Sequence, residues 1–317
     1  VQIKAASYGI NNQASDGACS TYTITYGTDI KTYDYVRNIA GAGHIGTIGP
    51  AGSDVKITVT GSAAIRNYGS IDLIDSGTTL EASGSTLYNA DYRETRRVYR
   101  DTANANENGS YDTMREYLYV YDAVPEIGKI NGTTITASND SAVLNDGVIK
   151  TIQGAKAEAK QNTIYNRNNG AKTGDQERSR YYRSTTAQKQ WPANSEWLFA
   201  EIDTSGIQYV AAQIGTIENC EITSKGGIAV RNGGKIGTIS GNTIQATGSS
   251  AIYNVEASRS ASTRIAAIEG TLGGTWTATL PKDTVTAYGA PPEIGTIGAN
   301  TITSTSGNAI DNRGIIT

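Results

Sequence analysis

The chain has 317 residues, a formal net charge of −3 and a pI of about 5.4. It therefore lacks the bulk basic surface that a phosphate backbone demands, and nucleic acid is not expected as a partner. Hydrophobic residues make up 38% of it, with one Met and one Phe beside 19 Tyr and 36 Gly, a mixture that suits short strands and many turns rather than helices. No run approaches the roughly 20 apolar residues of a membrane helix, so no spanning segment is expected.

In chain order, residues 3–12 read as the last part of a coil that ends Gly9-Ile10-Asn11-Asn12. An insertion, 13–44, follows, in which Tyr22-Thr-Ile-Thr-Tyr26 and Tyr33-Asp-Tyr-Val36 alternate as the strands of a β-hairpin do. After His44 comes the first Ile-Gly-Thr-Ile run, then two coil endings, Ala64-Ile65-Arg66-Asn67 and Thr86-Leu87-Tyr88-Asn89. The second insertion, 90–126, carries Arg97-Val-Tyr-Arg100 and Tyr117-Leu-Tyr-Val120; the next endings are Val143-Leu144-Asn145-Asp146 and Thr163-Ile164-Tyr165-Asn166. The third insertion, 167–213, holds Arg180-Tyr-Tyr-Arg183 and Gln208-Tyr-Val210.

The clearest unit comes next: Ile214-Gly-Thr-Ile217, Glu221-Ile222-Thr223 and Gly227-Ile228-Ala229-Val230-Arg231-Asn232, repeated 22 residues later from Ile236. It reads as one coil of three short strands. Thr243-Ile244-Gln245 and Ala251-Ile252-Tyr253-Asn254 complete its partner, a fourth insertion spans 255–293 with Val285-Thr-Ala-Tyr288, and Ala309-Ile310-Asp311-Asn312 closes the last full coil. Both ends fall within a coil, so the natural chain is expected to continue in each direction, the whole of 1–317 being one domain of a longer array.

A coil of three strands cannot bury its apolar side chains or pair its backbone alone; stacking another about 4.8 Å above does both. The expected fold is therefore all-β, a right-handed parallel β-helix of about 22 residues per coil. β-branched residues, frequent Gly and the absence of a 3.6-residue period exclude helix from the coils, and a near-identical series every 22 residues argues against an antiparallel sandwich. The endings predict a ladder of turn residues at Asn12, Asn67, Asn89, Asp146, Asn166, Asn232, Asn254 and Asn312.

Asn12, Asn89, Asn166 and Asn254, which precede the insertions, are 77, 77 and 88 residues apart, so the true repeat is one insertion plus two coils. All four insertions leave from the same turn and are expected to project from one edge as a row of similar knobs roughly 10 Å apart. Pro125, Pro291 and Pro292 are expected to steer the chain back into the coil.

Chemistry-bearing clusters are scarce. Asp101, Asp112, Glu116, Glu201 and Asp203 share no motif and read as surface carboxylates. His44, the only histidine, matches Glu126, Gln213 and Glu293 by position and reads as a turn residue. Glycine pairs match no phosphate loop, and nothing assigns a cofactor, a metal site or a catalytic residue. Cys220 falls in the slot of Thr133, Asn242 and Asn300, while Cys19, in the first insertion, lies some five coils away, too far for a disulfide.

The insertions hold most of the tyrosines and all three tryptophans, Trp191, Trp197 and Trp276. Exposed aromatics stack on sugar rings or anchor proteins, and Arg forks onto acidic groups. Tyr92, Tyr99, Arg100, Tyr117, Tyr119, Arg180, Tyr181, Tyr182, Trp191 and Trp197 are the candidate binding residues, with glycans, surface proteins or like molecules as partners.

Asn232-Gly-Gly-Lys-Ile-Gly-Thr-Ile239 with Ala251-Ile-Tyr-Asn254, and Ile294-Gly-Thr-Ile297 with Ala309-Ile-Asp-Asn312, resemble the coils of bacterial autotransporter passengers and related repetitive surface adhesins. The resemblance covers the coils and not the insertions. It implies an extracellular, cell-surface stalk that displays adhesive or enzymatic parts. An alternative on the same fold is a polysaccharide lyase or hydrolase, pectate-lyase-like or phage-tailspike-like, which would need paired carboxylates along a groove.

Overall fold

A computed structural model describes residues 1–12, 43–90, 124–167, 211–255 and 291–317 in full, together with the backbone of the strands that lie between these segments. Three parallel sheets, each 8-stranded, form the walls of a right-handed parallel β-helix in which strands stack in the order in which the chain makes them. Among the described residues there is no helix.

One turn of the stack shows how sequence makes a coil. Gln213–Glu218, Glu221–Ser224 and Val230–Asn232 supply one strand to each wall. Each pairs in parallel with its counterpart 22 residues on, Ile214 with Ile236, Ile222 with Ile244 and Asn232 with Asn254. The two isoleucines of each Ile-Gly-Thr-Ile run both point inward although two residues separate them, which a regular strand with a two-residue period forbids. The ladder resolves the conflict by skipping the glycine column: Ile127 pairs with Ile149, then Lys129 with Thr151. Ile127, Ile130, Ile149, Ile152, Ile214, Ile217, Ile236 and Ile239 are all buried in one continuous core, each contributing roughly 1.5–3 kcal/mol by its burial.

Corners are closed by two columns. Between the first two strands of a coil, the chain takes a left-handed residue at Gly132, Gly154, Asn219 and Gly241, with φ from 54° to 68°. Shortly after it, a small polar side chain caps a carbonyl of the preceding coil: Thr133 Oγ1 donates to Ile74 O at 3.2 Å, Asn242 Nδ2 to Ile217 O at 2.9 Å and Asn300 Nδ2 to Ile239 O at 2.8 Å. Cys220 occupies the same column, as its sequence slot implies, and is buried as a free thiol.

The second column is the asparagine ladder. Nδ2 of each member donates to Oδ1 of the next, Asn12 to Asn67 at 2.7 Å, then Asn67 to Asn89, Asn89 to Asn145, Asn145 to Asn166, Asn166 to Asn232, Asn232 to Asn254 and Asn254 to Asn312, each at 2.8 Å. The expected member Asp146 is corrected to Asn145. A carboxylate has no N–H with which to continue the chain of amides, and Asp146 stands one residue beyond, where its backbone N–H donates to Asn89 O.

The same corner shows how insertions are accommodated. A closed corner runs Asn-Xaa-Gly, as in Asn145-Asp146-Gly147, and the ladder asparagine also donates to that glycine's carbonyl, at 3.0 Å from Asn67 to Gly69 and from Asn145 to Gly147. In the corners that carry insertions the same bond goes to the residue at which the chain returns: Gly43 at 3.2 Å, Pro125 at 3.2 Å, Ala212 at 3.1 Å and Pro292 at 3.3 Å. Each insertion is thus spliced between the second and third residues of an Asn-Xaa-Gly turn whose asparagine keeps its bond to the third residue's carbonyl. The expected insertion limits shift accordingly, because His44, Glu126, Gln213 and Glu293 are the first residues of coil strands rather than turn residues.

The insertions are hairpins, and they do not stand as separate knobs. Cys19–Tyr26 pairs with Asp29–Arg37, Glu94–Val98 with Tyr111–Tyr121, Ala171–Ser184 with Leu198–Asp203, and Ser258–Ile265 with Lys282–Tyr288, all antiparallel. Between hairpins, Asp29–Arg37 pairs with Glu94–Val98, Tyr111–Tyr121 with Ala171–Ser184, and Leu198–Asp203 with Ser258–Ile265. The result is a 10-stranded antiparallel sheet. The reason is commensurate spacing: two coils rise about 10 Å, and a two-stranded hairpin is as wide, so hairpins set on every second coil meet edge to edge. In the third insertion the main return strand is Leu198–Asp203; the expected Gln208-Tyr-Val210 strand pairs instead with the base of the hairpin, Ala171 to Thr173.

Candidate functional site

The side chain just before each ladder asparagine points outward from the third strand of its coil, since the asparagine itself points in and neighbours alternate. Register places Asn11, Arg66, Tyr88, Leu144, Tyr165, Arg231, Tyr253 and Asp311 in this one column. Tyr68, Asp146, Arg167 and Arg313 flank it from the position after the asparagine. A stripe of tyrosine and arginine therefore runs up the coil beside the corner from which the insertions leave.

Toward the start of the stack, the Arg66 guanidinium lies among three rings, 5.3 Å from Tyr8, 4.7 Å from Tyr68 and 5.4 Å from Tyr88, and Nη1 donates to Tyr8 Oη at 2.6 Å. Such cation–π contacts favour a desolvated guanidinium. In the middle, Arg167 forms an ion pair with Asp146, whose side chain is 1% exposed. Tyr88 Oη donates to Asp146 at 3.0 Å and accepts from Arg167 Nη2 at 2.9 Å. Burial disfavours the Arg167 charge, but the hydrogen bond and charge of Asp146 more than offset it and hold the guanidinium above its ordinary value.

Farther along, Arg231 Cζ sits 4.7 Å from the Tyr165 ring centroid and Arg313 Cζ 5.3 Å from that of Tyr253. Arg313 also reaches Asp311 at 3.7 Å. The sequence carries a signal for this stripe, in that the residue before the ladder asparagine is Arg or Tyr in five coils, Arg66, Tyr88, Tyr165, Arg231 and Tyr253. Aromatic enrichment of the insertions points elsewhere and masks it.

Of the candidate binding residues, Tyr92, Tyr99, Arg100, Trp191 and Trp197 lie outside the described residues. Tyr117 and Tyr119 lie in one inner strand of the insertion sheet and Arg180, Tyr181 and Tyr182 in the strand paired with it. Register sets Tyr117 opposite Ser179, Tyr119 opposite Glu177 and Tyr181 opposite Arg115. Arg180 falls between Glu116 on one side and Glu201 on the other. Two of the sequence-designated carboxylates thus flank a candidate arginine, and Asp203 is opposite Arg178; Asp101 lies outside the described residues.

A shallow open groove of about 390 Å³ crosses the outer face of the first wall, over Gly215, Gly237 and Gly295, edged by Lys150, Lys235 and Glu293. Its one carboxylate among the described lining residues, Glu293, pairs with Lys235 at 3.4 Å, whereas glycoside hydrolysis calls for two facing carboxyl groups. His44, exposed, meets Ser70 Oγ at 2.9 Å through Nδ1 and Asp72 at 3.5 Å through Nε2. Among the described residues no group of three His, Cys, Asp or Glu side chains is placed to hold a metal ion, and no helix is long and apolar enough to cross a membrane. A scan of known protein families finds no match to the chain, and searches of curated proteins and of solved structures find none either.

Proposed function

We propose that the chain is a structural and adhesive module of a bacterial surface protein, displayed outside the cell, in which the β-helix is a rigid stalk and the insertion sheet a repeated contact surface. The observation that carries this reading is the splice at the ladder corner. Four insertions enter and leave while each ladder asparagine keeps its amide donations, at the one interval that lets their hairpins pair into a continuous sheet. That arrangement builds an extended face of similar rows, and similar rows suit weak contacts to glycans, surface proteins or copies of the same molecule that add up through multivalency.

The test compares the chain with a variant in which 91–124 are deleted and Pro125 is replaced by Gly, restoring an Asn-Xaa-Gly corner. Binding to immobilised host glycans, matrix proteins, cells and the chain itself is measured for both. The reading expects weaker binding by the variant with an unchanged β-sheet circular dichroism signal from the coils. Absence of affinity for every one of these partners in the parent chain would leave a stalk without an adhesive role.

A further inference from the structure

Among the described residues four arginines lie along the tyrosine stripe, and three are accounted for by neighbours. Arg66 donates to Tyr8 within a cage of three rings, Arg167 is paired with Asp146, and Arg313 reaches Asp311. Arg231 is different. Its guanidinium lies over Tyr165, yet none of the hydrogen bonds or ion pairs of the described residues includes it; its Nε, like that of Arg66, is buried without a partner. Its terminal nitrogens are left to solvent. A guanidinium resting over an aromatic ring, with no protein acceptor, keeps its charge and its fork of donors for a ligand.

Register sets Tyr165 on the coil before Arg231 and Tyr253 on the coil after it. The two tyrosines are therefore two rungs apart, roughly 10 Å, with Arg231 on the rung between them and its guanidinium over Tyr165. An aromatic, a guanidinium and an aromatic in line on the outward face of the third strands, each half-buried, suit an extended chain of rings bearing a negative group. We infer that Tyr165, Arg231 and Tyr253 form a subsite for a carboxylate-bearing sugar residue, the carboxylate taken end-on by the Arg231 terminal nitrogens and neighbouring rings of the glycan resting against the tyrosines. The inference rests on the adhesive reading for the choice of a glycan, and places this contact on the coil rather than on the insertions.

The experiment titrates the full chain calorimetrically with a hyaluronan hexasaccharide, with the same hexasaccharide methyl-esterified at its carboxyl groups, and with a glutamate-rich peptide. The parent is expected to bind the free acid, and Arg231→Gln to bind it roughly tenfold or more weakly, with Arg231→Lys intermediate because it keeps charge without the fork. Tyr253→Ala is expected to weaken binding severalfold through loss of stacking. All three variants should keep the parent's thermal midpoint, so that lost binding reports the site and not the fold. Equal binding of the methyl ester, unchanged binding by Arg231→Gln, or peptide binding as tight as that of the glycan overturns the subsite. Failure of the parent to bind the acid also overturns it, while the adhesive reading stands or falls separately on the partners tested above.

Discussion

Asn89 Nδ2 lies 2.8 Å from Asn145 Oδ1, so the ladder passes directly from one coil to the next although residues 91–124 intervene in the chain. The same amide donates to Pro125 O at 3.2 Å, where the chain returns. One buried side chain thus ties together the exit of an insertion, its re-entry and the following coil. Its counterpart Asn145 does the same work without an insertion, donating to Asn166, Gly147 and Gln213.

Replacing Asn145 by Asp removes every one of those donations and faces carboxylate oxygens toward buried carbonyls. Gly147 O still accepts from Gln213 N–H at 2.9 Å, so the loss falls chiefly on Asn166 Oδ1, and Asn145→Asp is expected to lower stability by about 1–3 kcal/mol. Urea unfolding of the variant beside the parent measures it. A shift no larger than that of an exposed substitution would mean that the ladder is ornamental to stability.

Shortening the second insertion to a closed corner tests the match between hairpin width and coil rise. Asp29–Arg37 and Ala171–Ser184 each pair with a strand of that insertion. With 91–124 deleted and Pro125 replaced by Gly, their amides are expected to lose hydrogen-exchange protection along those edges, while the coil amides of Glu126–Asn131 keep theirs. Loss of protection throughout the coils would show that the hairpin sheet holds the stack together rather than resting on its spacing.

Cys220 marks the one place where a sulfur interrupts a column of capping side chains. Its backbone N–H donates to Asn242 Oδ1 at 2.8 Å, and its Sγ lies 3.1 Å from Glu218 O. Burial pushes the thiol up to about 11. The unfolded thiol ionises near 9 while the folded one stays protonated, so the unfolded state binds fewer protons between those values and stability falls as pH rises from about 9 to 11. Cys220→Asn extends the amide column, is expected to add about 1 kcal/mol at neutral pH, and should remove this share of the alkaline loss. Parallel urea titrations at pH 7 and pH 10 read both effects.

Much of the coil was legible because stacking forces identical residue types onto identical places. The inward isoleucines and most of the ladder follow from that demand. Leu144 explains the one-residue slip at Asp146: it is an apolar side chain in the outward column, 9% exposed, between Tyr88 and Tyr165. Read as inward, it moves the ending by one. The pairing of Tyr111–Tyr121 with Ala171–Ser184 was not legible, since each hairpin is locally complete and the match arises only when coil rise sets the hairpins side by side. The Arg231 site was hidden for a related reason, because its partners Tyr165 and Tyr253 are distant in sequence and adjacent only in the stack.

Arg167 and Arg313 stand at equivalent corners but face different surroundings. The Arg167 partner, Asp146, is 1% exposed, whereas Arg313 and Asp311 are 58% and 26% exposed and 3.7 Å apart. Arg167→Ala takes its guanidinium from a buried carboxylate that keeps the Tyr88 hydrogen bond, with an expected cost of roughly 3 kcal/mol, toward the low end for breaking a buried pair; Arg313→Ala is expected to cost less than about 1 kcal/mol. Equal effects in thermal unfolding would show that Asp146 finds a replacement cation or water.

Gly147 tests the closed corner itself. A methyl group added there would come within 2.1 Å of Pro125 O and 2.9 Å of Asn89 Nδ2. That carbonyl cannot swing aside freely, because it accepts from Val148 N–H at 2.9 Å and from Asn89. Gly147→Ala is therefore expected to cost roughly 1–3 kcal/mol through overpacking against a fixed backbone. Ala212 occupies the equivalent place in a corner that carries an insertion and is fully buried there, so Ala212→Gly should cost about 1–2 kcal/mol, the backbone entropy of glycine with the loss of one methyl. The two variants compared by urea midpoint separate steric demand from a general sensitivity of corners: a Gly147→Ala midpoint equal to the parent's would mean that the stack can part locally between Pro125 and Gly147, and that the tight Asn-Xaa-Gly turn is not what excludes side chains.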